Sequence, residues 1–181
     1  SIQDGALYTR IPTVTLTLRW DKAGITRMYL SNDGGFVTGS GWISVTSVYN
    51  GWVLEQYGDM LMPRTVYGKF RDDYGRQYAT VQDDIIYDPN PPRIEDVAFV
   101  HGVQDVHALN VGSGIVRVTA SDDNSGAARV RVGHDAGFTA GQVSEWRQIT
   151  CGKVDIPWTL QATGEVYVQV EDWAGNARIV N

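Results

Sequence analysis

The stretch "VYVQVEDWAGN" (166–176) decides the fold. Its first half alternates apolar and polar residues, the period of a half-buried β-strand. Its second half places Asp172, Gly175 and Asn176 close together, which is turn chemistry. Asx side chains bond backbone amides two residues on, and glycine accepts a positive φ. The same order stands earlier in the chain as "VYGKFRDDYGR" (66–76). A strand ending in this turn, met twice, points to a repeated β unit.

Working outward, the two halves keep one register. "VTLTLRWDKAGITRMYL" (14–30) matches "VRVTASDDNSGAARVRV" (116–132), and "SNDGGF" (31–36) matches "GHDAGF" (133–138). Trp42 then falls on Trp146, and "GWVL" (51–54) on "PWTL" (157–160). So many anchors in one order imply a tandem duplication. The runs at 13–20, 65–71, 114–121, 128–133 and 165–171 all alternate with period two and are bounded by Gly, Asp and Asn. No stretch carries three turns of helical periodicity. The expected fold is therefore all-β: two tandem antiparallel β-sandwiches, 1–90 and 91–181.

"PNPP" (89–92) marks the boundary, because prolines lack amide donors and stiffen the backbone. The second unit stops at "ARIVN", roughly eight residues short of the first unit's end, so its last strand is expected to be an edge strand or truncated. An opening at Ser1 without Met likewise suggests a processed or excised piece.

"SDDNSG" before an alternating strand, then a "WTL" strand, "VYVQVEDWAGN", and in the first unit "DDYGR" followed by "DPNPP", resemble the bacterial immunoglobulin-like repeats of large exported proteins. The resemblance spans nearly the whole chain. It implies immunoglobulin-like sandwiches, an extracellular or cell-surface location, and spacer, adhesive or accessory roles beside neighbouring domains of a longer chain. It implies little about ligands.

Composition narrows the function classes. Of 181 residues, 43% are hydrophobic and 20% charged, enough apolar content for real cores. The formal net charge of −6, with 15 Lys plus Arg scattered along the chain, argues against nucleic acid, which needs clustered cations. No run is long and apolar enough to span a membrane, and no signal-peptide pattern occurs. The single cysteine, Cys151, has no internal partner; beside Gly152 it reads as a half-buried strand-end residue rather than a reactive thiol.

Catalysis finds little foothold. His101, His107 and His134 carry no motif, and His134 reads as a solvated turn residue. Adjacent acids such as Asp72-Asp73, Asp83-Asp84 and Asp122-Asp123 point apart on a strand or turn. The chain reads as a non-enzyme.

Two kinds of site remain. In an immunoglobulin-like sandwich the second and penultimate strands run toward one pole, which places "DDNSG" (122–126) beside "DWAGN" (172–176). Asp122, Asp123, Asn124, Asp172 and Asn176, with Asp88 and Asn90 from the linker, then form a candidate oxygen set for Ca²⁺; no other cofactor is expected. Turn chemistry alone also accounts for every one of these residues. In the first unit Lys22 and Arg76 stand where acids and amides would be needed. Aromatics are the other kind. Trp42/Trp146, Trp52/Trp158 and Tyr67/Tyr167 recur and read as core. Trp20, Trp173 and Tyr74 do not recur; they are candidates for a glycan or protein contact, or for packing between domains.

Overall fold

The computed structural model describes residues 1–55, 63–101, 112–161 and 165–181. His107 lies outside the described residues. The chain divides into two compact units, Ser1–Asp88 and Pro89–Asn181.

In the first unit a single 3₁₀ turn, Gln3–Gly5, precedes seven strands: β1 (Tyr8–Thr9), β2 (Thr13–Thr17), β3 (Ile25–Ser31), β4 (Ile43–Ser44), β5 (Val48–Val53), β6 (Arg64–Asp72) and β7 (Val81–Tyr87). They form one sheet in the order β1-β7-β6-β3-β4 and a second made of β2 and β5. β1 joins β7 in parallel, and the other pairings are antiparallel. The inward faces follow directly from the period of two. β6 buries Val66, Gly68, Phe70 and Asp72 and turns Tyr67, Lys69 and Arg71 outward. Val14, Leu16, Met28, Leu30, Trp52 and Leu54 complete the core between the sheets.

The second unit follows this plan with β8 (Arg93–His101), β9 (Gly112–Ser121), β10 (Ala127–Gly133), β11 (Arg147–Gln148), β12 (Lys153–Leu160), β13 (Tyr167–Asp172) and β14 (Ala177–Val180), except that its first strand pairs antiparallel with β9 where β1 joins β7. Its sheets run β12-β9-β8 and β11-β10-β13-β14. Val116, Val118, Val130, Val132, Val168 and Val170 are all essentially solvent-free and form its core with Ile156. These are β-branched side chains on pleated strands, where their stiffness at χ1 is least costly.

The backbones agree where the sequences do. Gly24 and Gly126 have φ of +82° and +85°, and Gly75 and Gly175, at the ends of the two "D-x-x-G" turns, have +80° and +87°. Phe36 and Phe138 share a left-handed backbone at +56° and +51°, uncommon for a bulky residue. Each unit is a β-sandwich of immunoglobulin-like architecture, antiparallel apart from the β1/β7 pair.

Three expectations need correcting. Trp42 and Trp146 recur, as do Tyr67 and Tyr167, yet none of the four is core. The positions between the sheets are filled by other side chains, mostly aliphatic, and these aromatics cover the outer face of the β3/β6 and β10/β13 sheets. The Arg71 guanidinium sits 4.3 Å from the Trp42 ring, Lys69 sits 3.8 Å from Phe36, and Arg129 and Arg131 stand 4.4 and 4.6 Å from Trp146. Recurrence marked a structural role, but the role is cation–π cover for exposed cationic strand residues. Trp52, by contrast, is core at 8% exposure, and Trp158 packs against the second core. Cys151 is exposed in a tight turn with φ +53°, not half-buried at a strand end. His134 is not a solvated turn residue: its ring stacks on Trp158, with centroids 4.5 Å apart.

Candidate functional site

The turn after β13 is built by one side chain. Asp172 Oδ1 accepts the Asn176 amide at 2.8 Å, Oδ2 accepts Asn176 Nδ2 at 2.8 Å, and the residue is 4% exposed. The loop after β9 is built the same way: Asp122 Oδ1 accepts the amides of Asn124, Ser125 and Gly126 at 3.0, 2.9 and 2.8 Å. Two bonds tie the loops together. The Trp173 amide donates to the Gly126 carbonyl at 3.1 Å, and the Ala174 amide to Ser125 Oγ at 3.3 Å. The strand order therefore brings "DDNSG" beside "DWAGN", and an oxygen of Asp122 lies within 4.8 Å of one from Asp172.

Asn90, Asp123 and Asn124 join Asp122 around a small cleft of about 200 Å³ that also includes Arg93 and Arg178. Asp88 closes the first unit; it is buried, and its amide donates to the Thr9 carbonyl at 2.8 Å. Asn176 does not face that cleft but holds Asp172.

The first unit answers the same electrostatic problem with a cation. Burial pushes the Asp72 carboxyl up, but the Arg76 amide and guanidinium and the Tyr74 amide outweigh it and hold the group below its ordinary value. Arg76 Nε and Nη2 lie 3.1 and 3.0 Å from Asp72 Oδ2. Position 176 is Asn in the second unit, and position 20, equivalent to Asp122, is Trp in the first. The second pole thus pairs Asp172 with Asp122 where the first pairs Asp72 with Arg76. Asp33 is likewise held low by the amides of Gly35 and Val37, and Asp155 by the Arg117 guanidinium, a two-bond pair at 2.8 Å each.

The candidate aromatics fall in three different settings. Trp20 is 38% exposed with its ring 6.2 Å from Phe70, so one face belongs to the first core. Trp173 is 54% exposed and rests over Gly126, where a Cβ would meet its Cδ1 at 3.6 Å. Tyr74, at 95% exposure, protrudes from its turn. These three residues do not line up on one strand face.

One constellation escaped the sequence reading. In the first unit the Trp52 indole N–H donates to Asn32 Oδ1 at 2.9 Å, and Asn32 Nδ2 donates to the Val53 carbonyl at 2.9 Å. His134 occupies the position equivalent to Asn32, and there the bond is missing. The Trp158 Nε1 and His134 Nδ1 atoms are both shielded from solvent with no hydrogen-bond partner. The sequence signal was the mismatch of Asn32 with His134 inside an otherwise matched turn.

With this geometry in hand, comparison with known proteins adds the fold. The chain resembles the fibronectin(III)-like modules of Clostridium thermocellum CbhA, with a TM-score of 0.52 and 13% identity over 99% of this chain and 90% of that one. The FN1-FN3 domains of chicken CNTN1 give a TM-score of 0.46 and 13% identity over 99% and 65%. The sequence matches no protein-family model and no curated protein. The class is thus set by architecture: immunoglobulin-like β-sandwiches similar to fibronectin(III)-like modules. Among the described residues no helix is long and apolar enough to cross a membrane.

Proposed function

We propose that the chain is a non-catalytic structural or adhesive spacer of an exported, cell-surface or secreted protein, linking or presenting neighbouring domains of a longer chain. One observation carries this reading. The acids most conspicuous in the sequence, Asp72, Asp122 and Asp172, each hold their own turn by accepting backbone amides. Their chemistry maintains the fold rather than acting on a substrate. The likeness to fibronectin(III)-like modules supports a module role. Pulled from its two ends, the chain should unfold in two separate events. Each should release about 300 Å, since roughly ninety residues extend at ~3.3–3.6 Å apiece. A featureless low-force extension would rule out a load-bearing spacer.

The second reading is a carbohydrate-binding accessory module, favoured by the half-exposed Trp20 and Trp173. Retardation in a glycan-containing affinity gel, abolished by Trp20→Ala or Trp173→Ala, would support it over the spacer. Ca²⁺ is proposed for the second unit alone, on the proximity of the Asp122 and Asp172 oxygens.

A further inference from the structure

His134 and Trp158, whose partnerless nitrogens are shielded from solvent, both line a cleft in the second unit of about 390 Å³, within the roughly 300–1,000 Å³ usual for small-molecule sites. Ser113, Gln142, Pro157 and Thr159 also line it, and among the described residues no Asp, Glu, Lys or Arg does. The Ser113 and Thr159 hydroxyls stand 3.1 Å apart, and the Gln142 carbonyl holds the His134 amide at 3.0 Å. The first unit shows what this architecture does without a site: Asn32 accepts the Trp52 indole proton and the wall is satisfied. Replacing that Asn by His leaves a donor and a ring nitrogen buried unpaired, which native structures rarely tolerate.

We infer that this cleft binds a neutral ligand bearing closely spaced hydroxyls, a sugar ring, through Trp158 Nε1 and His134 Nδ1. With the His134 proton on Nε2, Nδ1 accepts. One ligand hydroxyl then takes the indole proton and donates its own to the imidazole. With no Lys, Arg, Asp or Glu among its described residues, the wall offers no such partner to an anionic or cationic ligand. Its aromatic surface and paired hydroxyls suit a ring with an apolar face and polar edge. Because both nitrogens are shielded in the free chain, binding shifts the His134 ring off Trp158.

This inference does not depend on the spacer role. The test is titration of the ¹⁵N-labelled chain with neutral monosaccharides and their β-linked disaccharides at up to tens of millimolar. The Trp158 indole resonance is assigned by its loss in Trp158→Phe. Saturable movement of that resonance together with the His134 ring signals is expected. His134→Asn, which recreates the first unit's bond, should raise the thermal midpoint and weaken binding at least about tenfold. Absence of any shift across the panel, or equal binding by His134→Asn, would overturn the inference.

Discussion

Replacing Asp122 by alanine separates a side chain that builds the fold from one that waits for an ion. Its Oδ1 accepts three amides, from Asn124, Ser125 and Gly126, at 2.8–3.0 Å. A bond to a charged acceptor contributes ~1.5–3 kcal/mol. The three share one oxygen, and the loop rim reaches water, so these contributions do not sum. Removing the carboxylate also relieves repulsion from Asp172, within 4.8 Å. The expected net loss is about 2–4 kcal/mol in the second unit. With a urea slope of ~1–1.5 kcal/mol/M for a domain of this size, the midpoint falls by about 2 M. Amide peak volumes across a urea series read the two units separately, with the first as internal reference. Asp122→Asn keeps an Oδ1 acceptor and should lose less than half as much. A midpoint within ~0.5 M of the parent for Asp122→Ala would refute the reasoning, because three unpaired amides cannot cost so little.

Acid should weaken the first unit through Asp72. The folded Asp72 carboxyl titrates below its ordinary value of 3.8, so its contribution is present above that value and is lost as pH falls through the lower folded one. Arg76→Asn should flatten this loss in urea melts run below about pH 4. Trp52→Ala should cost about 3–5 kcal/mol as a core truncation. Trp42→Ala, which removes outer-face cover from Arg71, should cost only about 1 kcal/mol; equal losses in denaturant melts would return Trp42 to the core. If Ca²⁺ occupies the second unit's pole, its thermal midpoint rises with millimolar Ca²⁺ and falls with chelator. Identical midpoints would eliminate a stabilising site.

Much of the fold was legible because a strand's inward face is a local property. The alternation in "VYVQV" and the Asp, Gly and Asn that follow it need no partner to be read, and "DDNSG" beside "DWAGN" follows from strand order alone. Side chains off the regular strands were another matter. Trp42 and Trp146 sit beyond a strand end, where periodicity no longer says which side of the sheet they cover; the outward Arg71, Arg129 and Arg131 decided that. The sequence showed that position 134 differs from position 32. It did not show that the exchange leaves an indole proton on another strand without an acceptor. Turns and strand faces depend on neighbours along the chain, so the sequence by itself determined them. Burial of a loop aromatic, the cations it covers and an unmet hydrogen bond depend on neighbours across the sheets, and only the tertiary structure decided those.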